Sequence, residues 1–143
     1  MLAGTPILLA DGSTKPVESI QPGDIVLSYE SQTRIMTAAN VVKVHRPFRA
    51  SHYYVINGVI RVTENHPFLS GGDWRPASTL TVGDVMSQVS GGELEVRSIE
   101  RVDEGAIVYN FQVSTGAFVA HGVIVHNKED CLDFVQYCPD CED

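Results

Sequence analysis

Apolar residues in this chain come in short runs that alternate with polar ones and are broken repeatedly by Gly, Pro, Asn and Asp. A period of two fits strands whose successive side chains point to opposite faces of a sheet, and frequent turn residues fit many short strands. Strands are expected at residues 6–9, 24–28, 35–45, 52–56, 59–63, 84–88, 94–102, 107–113, 117–120 and 123–126. Asp11-Gly12, Asn57-Gly58 and Gly91-Gly92 supply tight turns between them. Helix is nearly absent from the pattern. Only residues 15–20 and 76–80 read as single helical turns, each containing a Pro suited to a first helical position.

Those two turns belong to a repeat. Lys15-Pro16-Val17-Glu18-Ser19-Ile20-Gln21-Pro22-Gly23-Asp24-Ile25 aligns with Arg75-Pro76-Ala77-Ser78-Thr79-Leu80-Thr81-Val82-Gly83-Asp84-Val85, sixty positions later. Upstream, Thr5-Pro6-Ile7-Leu8-Leu9 corresponds to His66-Pro67-Phe68-Leu69-Ser70 with one residue of slippage. Two copies of a strand-turn-strand unit imply an all-β fold with a pseudo-two-fold axis. The duplication sets the first residues of the chain and the His66 region at equivalent ends of two half-domains, so residues far apart in sequence converge.

At 143 residues the chain has the length of about one domain, enough for a proper core. No apolar run reaches membrane-spanning length and no signal segment opens the chain, so an intracellular setting within a larger precursor is expected, without a membrane partner. A net charge of −8 argues against nucleic acid as a partner. The charge is uneven: residues 128–143 carry six acids and one Lys, whereas residues 1–127 sum to only −3. This split marks a boundary after Asn127. All three cysteines, Cys131, Cys138 and Cys141, lie beyond it. Cys138-Pro139-Asp140-Cys141 has the spacing of half a zinc site, but structural zinc takes four ligands and three thiols are present, so an unmetallated flank ranks above a zinc knuckle.

The boundary falls on residues that can react. An Asn side-chain amide can attack its own backbone carbonyl, closing a five-membered succinimide and releasing whatever follows, here Lys128 onward. The preceding imidazole, His126, could supply the proton transfer, a contribution of about 10²- to 10⁴-fold. A His at a strand end and an Asn opening a turn are also ordinary uses of this dipeptide, and alone it favours that reading.

Four blocks in order decide otherwise. Leu2-Ala3-Gly4-Thr5, the stretch from Gly58 to Phe68 containing Thr63-Glu64-Asn65-His66, Val108-Tyr109-Asn110-Phe111-Gln112-Val113, and Phe118 to Asn127 together resemble the Hint superfamily of inteins, bacterial intein-like domains and hedgehog autoprocessing domains. The resemblance implies a disc-like, pseudo-symmetric β fold and a single-turnover reaction on the chain's own flanking polypeptide, with no cofactor, in a monomer. It implies that position 1 is the nucleophile of an amino-terminal acyl shift, assisted by Thr63 and His66, and that Asn127 cyclises with help from His126. Pro67 biases His66 toward extended backbone, and Thr63 adds a hydroxyl three residues back.

Three departures alter that expectation. Met1 stands where the family usually has Cys, and a thioether cannot accept the acyl group, so the amino-terminal shift is expected to be disabled. Lys128 stands where splicing inteins carry Cys, Ser or Thr, so ligation is expected to be lost; Cys131 is three residues too far along to substitute. Asn110 replaces a frequent Asp and Gly116 a frequent His, which is expected to slow cyclisation or shift assistance to His121. The ordinary reading of His121 is a solvated residue beside a turn, and for His45 and His52 that is the expectation outright. Residues 88–93 leave no room for an inserted endonuclease, so no DNA cleavage is expected.

The expected organisation is therefore a Hint domain over residues 1–127 and an acidic flank over 128–143, with cleavage at Asn127–Lys128 as the surviving reaction. The alternative from another class is a non-catalytic β module presenting a tail that binds Zn²⁺ through Cys131, Cys138, Cys141 and a His.

Overall fold

The computed structural model describes residues 1–30 and 32–126. Among them, in chain order, the strands are β1 (Pro6–Leu8), β2 (Thr14–Pro16), β3 (Ile25–Glu30), β4 (Ile35–Val44), β5 (Phe48–Ala50), β6 (Tyr53–Ile56), β7 (Ile60–Val62), β8 (Pro67–Ser70), β9 (Asp73–Pro76), β10 (Val85–Ser87), β11 (Glu93–Glu95), β12 (Ile99–Val102), β13 (Ala106–Val108), β14 (Phe111–Val113), β15 (Ala117–Ala120) and β16 (Val123–His126). The expected all-β class is the class found, and the two expected turns are single 3-10 turns at Val17–Ser19 and Ala77–Thr79.

The central sheet has the order β2-β1-β15-β16-β8-β9. Its middle is the hairpin β15–β16, whose residues from Ala117 to Ala120 and Val123 to Val125 are all buried. Continuous apolar runs of this length are what a strand covered on both faces requires. His121 and Gly122 close the hairpin with φ of 52° and 76°, the left-handed pair of a two-residue primed turn. Phe118 packs on Phe111 of β14 with centroids 4.4 Å apart, and Ile7, Phe68, Val26 and Met86 complete the same core.

The repeat is realised bond for bond. In the first copy Lys15 Nζ lies 2.8 Å from Asp24 Oδ2, which also accepts the Gln21 N–H at 2.9 Å. In the second, Arg75 lies 3.1 Å from Asp84 Oδ2, which accepts the Thr81 N–H at 2.8 Å. Gly23 and Gly83 both have positive φ, at 92° and 101°, and donate to Val41 O and Val96 O at 2.9 Å each. The Val17 N–H donates to Thr5 O and the Ala77 N–H to His66 O, again 2.9 Å each, which makes Thr5 the structural counterpart of His66. The two copies flank the central hairpin, β1 on β15 through Ile7↔Ala120 and β8 on β16 through Val125↔Phe68.

The alternation pattern misses several strands. β2 and β9 each end in Pro and carry charged or polar residues; they are the two edges of the sheet, where a missing N–H is tolerated. β5 and β8 are also absent from the expected strands, although the repeat aligns residues 66–70 with a strand. The single strand expected over 107–113 is two, because the chain changes partner at Tyr109 and Asn110. β13 pairs with β5 and β14 with β4. The run expected over 94–102 divides likewise, β11 joining β10 and β12 joining β6.

The Asp24 carboxylate is held below its ordinary range by the Lys15 ammonium first and the Gln21 N–H next. The Asp84 carboxylate is held low by the Thr81 N–H first and Arg75 next. A carboxylate whose pKa falls on folding stabilises the fold above its unfolded value, about 3.9, and loses that contribution as pH drops through the folded value. The double variant Asp24→Asn/Asp84→Asn is therefore expected to melt below wild type near neutrality, with the gap closing as pH falls from about 5 to about 3. Melting temperatures across that range measure it.

Candidate functional site

β16 runs antiparallel to β8, so its last residue lies alongside the first residue of β8. His126, at the end of β16, and the turn Thr63–His66 leading into β8 therefore occupy one end of the central sheet. In that turn the His66 N–H donates to Thr63 O at 3.2 Å, and the Thr63 hydroxyl donates to Asn65 Oδ1 at 3.1 Å. Pro67 keeps the backbone entering β8 extended. Thr63, Asn65 and His66 are 7%, 8% and 1% exposed. The His66 ring stands edge-on to Phe68, centroids 5.6 Å apart. His52, expected to be solvated, is half-buried. Its Nε2 lies 2.9 Å from Glu64 Oε1 and its Nδ1 3.0 Å from Ser51 Oγ, so it braces this turn from outside.

The first residues of the chain come to the same place. Leu2 donates its N–H to Arg61 O at 3.3 Å, just before Thr63, while Met1 accepts the Tyr109 N–H at 2.8 Å and donates to Tyr109 O at 3.3 Å. Met1 is buried, its side chain part of the core. Tyr109 is the crossover residue between β13 and β14, and next to it Asn110 accepts the His45 N–H at 3.0 Å. Asn110 and His45 are both buried. The solvated reading of His45 is thus corrected. Its backbone N–H bonds to Asn110, far along the chain, and nothing in the local pattern announces its burial.

His126 pairs with Ala117 across the hairpin and is partly exposed. The Trp74 ring of β9 meets its imidazole at 4.8 Å in a T-shaped arrangement. Gly116 is close as well: a Cβ there would come within 3.1 Å of His126 Nε2. Asn127 and Lys128 follow directly and lie outside the described residues, as do Cys131, Cys138 and Cys141. Among the described residues there is no group of three His, Cys, Asp or Glu able to hold a metal ion.

His121 sits elsewhere. The hairpin places its turn at the opposite end from the Ala117↔His126 pair. Its N–H donates to Pro6 O at 3.1 Å. Burial first, and the Arg61 guanidinium second, push its imidazole pKa below the ordinary value. Sequence reasoning brings together Met1, Thr63, His66, Asn110 and His126; it misses Asn65, His45 and Trp74. Asn65 has a signal in its place within the Thr63–His66 block, whereas Trp74 needs the knowledge that residues 73–76 form a strand.

The overall arrangement is that of the Hint fold. A variant of the Ssp DnaB mini-intein superposes with a TM-score of 0.76 at 20% identity, over 89% of this chain and 92% of that one. The DnaB intein from Synechocystis gives 0.73 at 22%, over 88% and 96%. The bacterial intein-like domain from Clostridium thermocellum gives 0.78 at 30% identity, over 88% and 96%. The family described as the pretoxin HINT domain matches residues 7–128, and the chain belongs to that family. No curated protein matches the chain. At the level of this family the activity is protein splicing or autoprocessing, exerted on the polypeptide that contains the domain.

A histidine whose pKa is depressed on folding contributes stability above its unfolded value, about 6.5, and loses it as pH falls through the folded value. His121→Asn places a residue at φ 52° that adopts this conformation readily and carries no such proton. The variant is expected to lose less stability than wild type between about pH 6.5 and 5; chemical denaturation of both at the two pH values measures the difference.

Proposed function

We propose that residues 1–127 act as an intein-like autoprocessing domain that cleaves the chain at Asn127–Lys128, with residues 128–143 as its carboxy-terminal flank. The observation that carries this reading is the end of β16. His126, the residue before Asn127, is its last paired position, and β16 pairs with β8, whose start follows the Thr63–His66 turn.

In this reaction the Asn127 side-chain nitrogen attacks the Asn127 backbone carbonyl carbon. A ring C–N bond forms and the C–N bond to Lys128 breaks. The attacking nitrogen gives up one proton and the departing amine gains one, so the products are a 1–127 fragment ending in succinimide and a flank with a free amino terminus. His126 donates to the leaving nitrogen. A general acid so placed contributes about 10²- to 10⁴-fold, and holding the strand end rigid supplies part of the remaining barrier reduction. Thr63 and His66 belong to the amino-terminal acyl shift, for which Met1 provides no nucleophile. Loss of that shift and the Lys at position 128 leave cleavage in place of splicing. The name pretoxin, carried by the matching family, suits a domain that releases the segment after it.

Intact-mass spectrometry of the full chain near neutral pH tests the reading. A 1–127 fragment at the mass of the succinimide is expected, absent in Asn127→Ala and slowed roughly 100-fold or more in His126→Ala. A wild-type chain that stays intact sinks it.

The amino-terminal half is tested by Met1→Cys behind a short upstream peptide. Release of that peptide by an added thiol is expected, with Thr63→Ala or His66→Ala lowering the rate by about 10- to 100-fold. Thiol release at an unchanged rate in both variants would remove Thr63 and His66 from the step.

A further inference from the structure

We infer that Trp74 is a positioning residue for His126, its indole packing edge-to-face on the imidazole while the bare Cα of Gly116 leaves room for the ring's distal edge. The inference rests on the reading of His126 as proton donor to the Lys128 amine. Trp74 is the chain's one tryptophan and lies on β9, the edge strand of the central sheet, two strands from β16. Its ring reaches across β8 to meet the His126 ring at 4.8 Å and 76°. That separation and tilt are those of a favourable edge-to-face pair, an interaction with a preferred geometry beyond the area it buries.

A second contact is defined by what is missing. A Cβ at position 116 would sit 3.1 Å from His126 Nε2 and 3.3 Å from Cε1, tight enough that the distal edge of the imidazole would have to give by a few tenths of an ångström. Gly116 also has φ of 91°, which other residues adopt at a cost. The residues on either side of Gly116 are held firmly. The Ser28 hydroxyl, fully buried on β3, donates to Ala117 O at 2.6 Å and contacts the Thr115 hydroxyl, fixing the residues on both sides of Gly116. Gly116 donates its own N–H to Val113 O at 3.2 Å.

Each unproductive rotamer of the imidazole subtracts from proton donation to the leaving amine. An edge-to-face aromatic partner and a side chain's absence at position 116 favour one ring placement by shape and ring geometry. Misplacement by about an ångström at a reacting group is enough to cost up to 10²-fold in rate.

The test uses the full chain with Trp74→Leu, Trp74→Phe and Gly116→Ala. Cleavage at Asn127–Lys128 is followed by intact mass, and the His126 ring-proton shifts by NMR in Asn127→Ala backgrounds that stay whole. Trp74→Leu is expected to slow cleavage about tenfold or more and to move the His126 ring protons by removing the indole ring current. Trp74→Phe should restore most of the rate, because an aromatic edge-to-face partner returns while the fold is otherwise unchanged. Gly116→Ala should slow cleavage and shift the same protons. Cleavage at the wild-type rate in Trp74→Leu overturns the inference, and so do His126 proton shifts that are the same with and without that substitution. A wild-type control that does not cleave strikes the reaction itself, and the proton shifts then still decide whether Trp74 seats the ring.

Discussion

The hairpin β15–β16 is the constraint on which the rest depends, because it is paired on both sides and buried along almost all its length. Each copy of the repeat needs a central strand to complete its half of the sheet, and the hairpin supplies one to each. Placing it last in the described chain has a consequence for chemistry. The fold closes only when β16 inserts between β15 and β8, and that insertion delivers His126 beside the start of β8 and the Thr63–His66 turn. Joining the half-domains and bringing the two ends of the domain together are one structural event.

Burial of polar groups locates the site independently of any resemblance. A polar side chain in the interior costs about 1–3 kcal/mol when it lacks a partner, so natural cores use few. The buried polar and charged residues here are Thr5, Ser28, His45, Thr63, Asn65, His66, Ser70 and Asn110. Thr5 and Ser28 tie backbone together, the first through Leu2 O and the second through Ala117 O. His45, Thr63, Asn65, His66 and Asn110 instead belong to the segments that meet Met1, Tyr109 and the start of β8. Their concentration there is what a reacting centre assembled from distant parts of a chain looks like.

Much of this is legible in sequence because the repeat is strict where it bonds. Lys15, Gly23 and Asp24 each have a bonding role that Arg75, Gly83 and Asp84 reproduce, so the residue types are dictated by the geometry they serve. The hairpin is legible for a related reason: its strands are continuous apolar runs with a two-residue turn between them. Edge strands are not, since β2 and β9 have no apolar face to enforce a period and end in Pro. His45 escapes notice because it is buried in a segment whose backbone partner, Asn110, lies sixty-five positions away, and no local pattern carries that information. Trp74 escapes because its partner is set by strand order, β9 next to β8 next to β16, which the alternation of residues does not encode.

Met1 separates fold from chemistry. Its side chain is buried in the core, and an unbranched, polarisable thioether fills irregular space well, so a residue without a nucleophile is accommodated where the fold needs only volume. The backbone of Met1 still makes both of its bonds to Tyr109, which keeps Asn110 and His45 in register at the sheet end. The proposed carboxy-terminal step draws on β16, Gly116 and Trp74 and on no atom of the Met1 side chain. A residue without a nucleophile at position 1 therefore leaves the backbone framework on which the proposed step would act intact.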